Sequence, residues 1–156
     1  MEEKGVSVVY LSLGSNLGDR EHFIDCAICE IDKRIGEVTN ISSKYETEPW
    51  GFISKNKFIN VAVEVKTQLS ASEVSVIVHK IEDELGRKRD INSTGYEDRV
   101  IDIDILLFDD IISNDELLTL PHPKMHLREF VIVPLREIAP EIIHPVLGMA
   151  IKNIKL

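Results

Sequence analysis

One stretch of the sequence alternates strictly between isoleucine and aspartate, and it constrains the fold more than any other. It lies within Val100 to Leu107, which reads VIDIDILL, and the alternation covers Ile101 to Ile105. Alternation with a period of two residues predicts a β-strand, because successive side chains of a strand point to opposite faces of the sheet. The isoleucines would enter a core, and Asp102 and Asp104 would lie side by side on the other face.

Three more strands are predicted before this one, which itself extends over Arg99 to Phe108. Val6 to Leu13 is rich in valine, leucine and tyrosine and is followed by a glycine. Val38 to Thr47 gives a second strand, and Phe58 to Val65 gives a third with an isoleucine and three valines on one face. Such runs of β-branched and aromatic residues between turn residues are typical of strands.

Two helices are predicted between these strands. The first follows Asp19, a residue type that caps helices, and ends at Gly36. The second opens with Ser70 and Glu73, which have the spacing of a capping box, and ends at Gly86. The buried stripes would be formed by Ile24, Ala27, Ile28, Ile31 and Ile35 in the first helix and by Val74, Ile77, Val78, Ile81 and Leu85 in the second.

The order strand, helix, strand, strand, helix, strand is that of the ferredoxin-like fold. We therefore predict an α+β protein with an antiparallel sheet and both helices on one face of it. The last third, residues 109–156, holds five of the six prolines and predicts loops and short helices. We expect this part to cover the sheet edge and to complete a site.

Length and charge limit the function classes. The chain has 156 residues and a net charge of −9, and no linker-like segment divides it, so one domain over residues 1–156 is predicted. An acidic chain lacks the basic face of a nucleic-acid-binding protein. No apolar stretch approaches the roughly 20 residues of a membrane span, and the acidic N-terminus does not resemble a signal peptide. We expect a cytoplasmic monomer without nucleic-acid or membrane partners.

The two cysteines, Cys26 and Cys29, have the C-x-x-C spacing of redox pairs and of half a zinc site. They fall in the middle of the first predicted helix rather than at its N-terminus, where a thiolate would be stabilised. No second C-x-x-C completes a zinc site. Packing in the core or on the helix flank is therefore the favoured interpretation.

Asp102 and Asp104 form a candidate metal site. Neighbouring carboxylates repel each other unless a cation lies between them, and a pair on a rigid strand suits Mg²⁺. A solvated outer face of an amphipathic strand is the alternative. Basic residues elsewhere favour a magnesium–polyphosphate ligand, because cations neutralise its outer oxygens; they are Arg87, Lys88, Arg89, Arg99, His122, Lys124 and Arg128.

Other features say how ligands would be bound. The sequence has no G-x-x-x-x-G-K-[ST] loop, so a nucleotide would be held by arginines and metal instead of a glycine cradle. The second face of the third predicted strand carries Phe58 and Asn60. Such a pair could stack on and hydrogen-bond a flat heterocycle, although an ordinary half-buried face would look the same.

Six motifs that occur in one order along nearly the whole chain resemble those of the hydroxymethyldihydropterin pyrophosphokinase family. They are YLSLGSNLGD at 10–19, YETEPWG at 45–51, FINVAV at 58–63, IExxLGRxR at 81–89, RVIDIDIL at 99–106, and LPHP at 120–123 with REFV at 128–131. The resemblance implies transfer of pyrophosphate from ATP to 6-hydroxymethyl-7,8-dihydropterin, with AMP as the other product, in folate biosynthesis.

The resemblance also implies residue roles. Asp102 and Asp104 would bind two Mg²⁺ ions. The implied ATP contacts are His79, Glu82, Arg87, Arg89, Arg99, His122 and Arg128, of which Arg87, Arg89 and Arg99 would join the two aspartates as catalytic residues. The implied pterin contacts are Thr47, Trp50, Phe58, Asn60 and Phe130.

Two other interpretations stay open at this point. A ferredoxin-like module could sense a small ligand without turning it over, since a fold does not fix a function. Paired aspartates among arginines argue against a sensor, which has no need of two metal ions. A different ATP-dependent transferase with another flat acceptor is the second alternative, because the choice of pterin rests on the resemblance.

Overall fold

The computed structural model describes residues 5–48, 56–86 and 100–156. Its strands are β1 (Ser7–Ser15), β2 (Glu37–Ile41), β3 (Tyr45–Thr47), β4 (Phe58–Thr67), β5 (Asp102–Phe108), β6 (Ser113–Asp115) and β7 (Leu118–Leu120). Its α-helices are α1 (Arg20–Arg34), α2 (Ala71–Glu84) and α3 (Glu129–Ile138). Two 3₁₀ turns, Met125–Leu127 and Ile151–Asn153, lie on either side of α3 in the sequence.

The main sheet confirms the predicted ferredoxin-like arrangement. Its strands lie in the order β2-β4-β1-β5, with β3 also paired to β4, and all of these pairings are antiparallel. The apolar stripes of α1 and α2 and the apolar faces of β1, β4 and β5 form one buried cluster. Both helices therefore pack on the same face of the sheet, as the order of elements indicates.

The predicted helix starts are also confirmed. The Asp19 side chain accepts a hydrogen bond of 3.1 Å from the backbone N–H of His22. At the start of α2, Ser70 and Glu73 exchange side-chain-to-backbone bonds of 3.0 and 3.1 Å, which complete the capping box. These bonds satisfy backbone donors that have no partner within the helix.

The second predicted strand is interrupted. β2 ends at Ile41 and β3 begins at Tyr45, and both pair with β4. Between them the buried hydroxyl of Ser42 accepts from the backbone N–H of Ala62 at 2.8 Å, where a strand would offer a carbonyl. A side chain that takes the place of the backbone lets the edge of the sheet bend at this point.

The C-terminal part covers the second face of the sheet rather than its edge. Val131, Ile132 and Leu135 of α3 pack in a second buried cluster with Tyr10 of β1 and Leu106 of β5. The Pro134 ring lies within α3 and is itself buried. The short hairpin of β6 and β7 was not expected from the sequence; β7 packs against β5 and α2.

The cysteines lie on the flank of α1. Cys29 is exposed, Cys26 is half-buried, and both are free thiols. The Cys26 Sγ lies 3.5 Å from the Nε2 of His22, one helical turn earlier. Across residues 5–48, 56–86 and 100–156, no three side chains of histidine, cysteine, aspartate or glutamate are grouped to hold a metal by themselves.

No helix in the described part of the chain combines the length and the apolar character that crossing a membrane requires.

The C-terminal turn is built around a buried histidine. His144 is 3% exposed, and its Nδ1 accepts from the backbone N–H groups of Val146 and Leu147 at 3.2 and 3.0 Å. Burial, together with the nearby His126, lowers the pKa of His144 below its usual 6.5. A proton on Nδ1 would remove both backbone bonds, so the turn requires the neutral imidazole.

This turn should make stability depend on pH. Because the pKa of His144 is lower in the folded state, the unfolded chain binds more protons below pH 6.5. The contribution of His144 is then complete above pH 6.5 and is lost as the pH falls below it. We expect His144→Asn, which keeps a side-chain acceptor but does not titrate, to reduce the fall in melting temperature between pH 7.5 and 5. Identical pH profiles of both proteins would contradict this.

Candidate active site

The polar end of the second sheet face is assembled by the pairing of β1 with two neighbours. Gly14 of β1 lies opposite Asn60 of β4 on one side and opposite Asp102 of β5 on the other. Two residues earlier on β1, Ser12 lies opposite Asp104. Because adjacent strands are about 4.8 Å apart, Asn60 and Asp102 are separated by roughly 10 Å across Gly14.

Gly14 must be a glycine for this arrangement to exist. A Cβ atom at this position would lie 2.8 Å from the Oδ1 of Asn60 and 3.4 Å from the Cδ1 of Phe58. The Asn60 amide and the Phe58 ring therefore lean over the β1 backbone and use the space that a side chain would fill. Gly14 was not among the candidate site residues predicted from the sequence; the register of the strands identifies it.

The alternation predicted for β5 is present. Ile101, Ile103 and Ile105 are buried in the cluster under the helices, and the side chains of Asp102 and Asp104 are half-buried on the opposite face. α3 covers the neighbouring part of this face but not this end, so the two carboxylates stay accessible to a ligand. Their oxygens are the donors that a hard divalent cation prefers.

Glu82 of α2 binds the backbone of β5 from the helix-covered face of the sheet. Its side chain is 1% exposed, and its Oε2 accepts from the backbone N–H of Ile103 at 2.9 Å. Ile103 stands between Asp102 and Asp104, so a bond from α2 fixes the backbone that carries both aspartates. The Glu82 carboxylate is thus directed at β5.

A cavity of about 250 Å³ opens beside Asp104. His79 of α2, Asp104 and His122 line it together with Leu117 and other residues of the β6–β7 hairpin. His79 and His122, which the resemblance assigns to ATP, therefore border one cavity with the candidate metal ligand Asp104. The β6–β7 hairpin, which forms one side of this cavity, was not predicted because a strand of three residues is too short to show a recognisable pattern.

His122 is held as a neutral hydrogen-bond donor. Its backbone N–H donates to the Leu106 carbonyl at 2.9 Å, and its Nδ1 accepts from the backbone N–H of Lys124 at 3.2 Å. Burial first, and then the charge of Arg128, lower its pKa to about 4, although the charge of Asp102 acts in the opposite direction. Since Nδ1 is an acceptor, the hydrogen of the neutral ring is on Nε2 and can be donated to an oxygen ligand.

Arg128 and Phe130 lie at the start of α3. Arg128 is 6% exposed, and its guanidinium carbon lies 5.6 Å from the centroid of the Phe130 ring, within the range of a cation–π contact. A buried guanidinium is costly unless anionic groups approach it. Its charge acts on His122, so the charged guanidinium and the neutral imidazole lie in the same region of the site.

Asn60 and Thr47 join the other side of the site. The Asn60 side chain is 3% exposed, and its Nδ2 donates to the Thr47 hydroxyl at 2.6 Å. Thr47 in turn lies opposite Phe58 in the β3–β4 pair. Trp50, Arg87, Arg89 and Arg99, which the sequence analysis also assigned to the site, lie outside the described residues.

The arrangement has two halves. The half at β5 combines carboxylates, a neutral histidine and a buried arginine, which suits a polyanion bound with a hard cation. The half at β4 combines a fixed amide with aromatic rings, which suits a flat heterocycle. Gly14 lies between the halves, so a group can pass from a ligand on one side to a ligand on the other.

Comparison with known protein families gives one clear match. The family described as 7,8-dihydro-6-hydroxymethylpterin-pyrophosphokinase (HPPK) matches residues 10–140. A 2-amino-4-hydroxy-6-hydroxymethyldihydropteridine pyrophosphokinase of Porphyromonas gingivalis is 44% identical over 142 residues, which are 90% of this chain and 95% of that protein. The protein of the same name from Aquifex aeolicus is 39% identical over 150 residues, 96% of this chain and 91% of that protein.

Solved structures agree on the fold. The crystal structure of wild-type Plasmodium falciparum HPPK-DHPS superimposes with a TM-score of 0.77 at 17% sequence identity. The match covers 99% of this chain and 45% of that chain, so this protein spans less than half the length of that solved structure.

The role of Glu82 in fixing β5 can be tested by stability. Glu82→Ala removes the acceptor for the buried Ile103 N–H, and we expect it to lower the free energy of unfolding by about 2–3 kcal/mol. Glu82→Gln keeps an oxygen in place and should cost clearly less. Urea denaturation of the three proteins measures both changes; equal losses for the two variants would mean that the hydrogen bond is not the cause.

Proposed function

Because this chain belongs to the 7,8-dihydro-6-hydroxymethylpterin-pyrophosphokinase family, we propose that the polar face of β4, β1 and β5 is its active site. The chain is an ATP-dependent pyrophosphokinase of folate biosynthesis, which transfers pyrophosphate from ATP to 6-hydroxymethyl-7,8-dihydropterin. A reaction with ATP as co-substrate implies a divalent metal ion. The pairing of Gly14 with both Asn60 and Asp102 is the observation that carries the assignment of the site.

In this proposal Asp102 and Asp104 would hold the metal, as two Mg²⁺ ions. Their carboxylates project from one face of a strand that Glu82 fixes from below. No third protein carboxylate or histidine in the described residues completes a metal group with them, which fits an ion that takes its remaining ligands from phosphate oxygens and water. Bound there, the metal would supply neutralisation of the charge on the phosphate chain.

The cavity beside Asp104 receives the nucleotide. His122 donates from Nε2 to a phosphate oxygen, and Arg128 adds a positive charge that α3 keeps in place. His79 borders the same cavity and would contact the nucleotide. Arg87, Arg89 and Arg99 are assigned to the phosphates on their sequence motifs alone. Glu82 acts on the nucleotide side through the backbone of β5.

The pterin ring occupies the half of the site at β4. Phe58 and Phe130 stack on its two faces, and Asn60 bonds its polar edge with help from Thr47. Trp50 joins them on its sequence motif. The Thr47 bond fixes the Asn60 amide, so the carboxamide oxygen is oriented before the ligand arrives, which reduces the entropy lost on binding.

Catalysis in this proposal is positioning and charge neutralisation. The hydroxymethyl oxygen of the pterin attacks the β-phosphorus of ATP, the bond between the α- and β-phosphates breaks, and AMP leaves. The separation of roughly 10 Å between Asn60 and Asp102 brings an acceptor at β4 within reach of a polyphosphate at β5. A cytoplasmic location, a monomeric state and a single domain over residues 1–156 stay predictions.

The reaction and its metal site can be tested together. With ATP, Mg²⁺ and 6-hydroxymethyl-7,8-dihydropterin, chromatography should detect AMP only when the pterin is present. Asp102→Asn and Asp104→Asn should each lower the rate by about 10²–10³ without loss of melting temperature, since each removes charge stabilisation. Asp110→Asn, the same change at an exposed position after β5, should be silent. ADP as the product, or full activity of both site variants, would refute the proposal.

The space over Gly14 provides a second test. Gly14→Ala places a Cβ 2.8 Å from the Asn60 Oδ1 and must displace the amide. We expect the KM for the pterin to rise at least about tenfold, because small misplacements of a binding group are costly, while the KM for ATP changes little. Gly5→Ala, where nothing lies within 4 Å, is the control. An unchanged pterin KM would remove Asn60 from the pterin site.

A further inference from the structure

The carboxylate of Glu137 in α3 binds the segment that joins β2 to β3. Glu137 accepts from the backbone N–H of Ser43 at 2.9 and 3.1 Å and from the Ser43 hydroxyl at 3.3 Å. The phenolic O–H of Tyr45 donates to the same carboxylate at 2.5 Å. Three donors from one short segment of the sheet edge therefore converge on a single side chain that is 94 residues away in the sequence.

This contact is charge-assisted. The Tyr45 hydrogen bond and the two bonds from Ser43 lower the pKa of Glu137, so it is ionised at neutral pH. The same bond raises the pKa of Tyr45, which stays a donor. Hydrogen bonds to an ionised acceptor are roughly twice as strong as neutral ones, which allows an exposed contact to hold its geometry.

The residues of this contact lie next to the two walls of the proposed pterin site. One wall is α3 with Phe130, and the other is β4 with Phe58 and Asn60. Tyr45 lies directly opposite Asn60 in the β3–β4 pair, and it precedes Thr47, the partner of the Asn60 amide, by two residues. Glu137 follows Phe130 by seven residues on α3. Seven residues are two helical turns, so Glu137 and Phe130 lie on the same side of α3, about 10.5 Å apart.

β3 needs such a contact because it is short and lies at an edge. It has three residues, and in the described part of the chain its strand partner is β4. On the side of the helices, Glu46 pairs with Arg20 at 3.1 Å. On the opposite side, α3 reaches the segment through Glu137. The apolar packing of α3 lies deeper in the sheet, in the second buried cluster.

We propose that Glu137 is a positioning residue for the pterin: with Ser43 and Tyr45 it fixes the distance between the wall that carries Phe130 and the wall that carries Phe58 and Asn60. This inference rests on the proposed location of the pterin between these walls. The ring is flat, so stacking on both faces requires a slot of one definite width. A looser slot weakens pterin binding and leaves the nucleotide cavity, which is formed by α2, β5 and the β6–β7 hairpin, unchanged.

The test compares substrate-specific constants in variants of the contact. Glu137→Ala should raise the KM for the pterin about tenfold, and Tyr45→Phe, which removes one hydroxyl, should raise it by about three- to fivefold. Glu137→Gln keeps an acceptor without the charge and should fall between the wild-type protein and Glu137→Ala. In all three, the KM for ATP should change less than about twofold.

A double variant separates a shared contact from two independent ones. If Tyr45 and Glu137 act as one unit, Glu137→Ala combined with Tyr45→Phe should raise the pterin KM no further than Glu137→Ala alone. Glu141→Ala is the matched control, because Glu141 is an exposed carboxylate whose partner at 2.8 Å is the surface residue Lys152. Its removal should change neither KM, since exposed ion pairs contribute little.

Three outcomes would overturn the inference. They are an unchanged pterin KM in Glu137→Ala, parallel increases of the KM values for ATP and pterin, and a loss confined to melting temperature and active fraction. The last two would mean a structural role only. Failure of the proposed function is recognised separately, because the wild-type protein would then form no AMP with pterin in the same assay.

Discussion

Antiparallel pairing of β1 with both β4 and β5 is the interaction on which the rest of this structure depends. It places the central strand so that the apolar residues on one face of the sheet are buried under α1 and α2. On the other face the same register sets Gly14 between Asn60 and Asp102. The core and the site thus lie on opposite faces of the same paired strands. A shift of the register by one residue would move the side chains of each face to the other.

The second face is divided by α3. The part of the face that α3 covers carries apolar residues such as Leu106 and Ala62. Beyond the N-terminal end of α3 the face is polar and carries Asp102, Asp104 and Asn60. The N-terminal end of α3 supplies Arg128 and Phe130 at this boundary, and its C-terminal end supplies Glu137 to the sheet edge. One helix therefore limits the site, contributes to it and connects it to β3.

The net charge of −9 gives no indication of this local chemistry. At the site, a buried arginine and a neutral histidine face two aspartates, so the region can accept a polyanion together with a cation. The low pKa of His122 has its origin in burial and in the charge of Arg128, which keep the imidazole a donor with no positive charge of its own. Membership of the pyrophosphokinase family agrees with such a site.

The sequence by itself determined the order of the elements of the ferredoxin-like core, the caps at Asp19 and Ser70 and the two faces of β5, because each depends on neighbours within a few residues. The family motifs also named the candidate site residues. Only the tertiary structure decided that Glu82 bonds Ile103, 21 residues away, and that Glu137 bonds Ser43, 94 residues away. It alone revealed Gly14 as the divider of the site. Such contacts leave no periodic pattern in the chain, since they arise from the register of strands and the packing of α3.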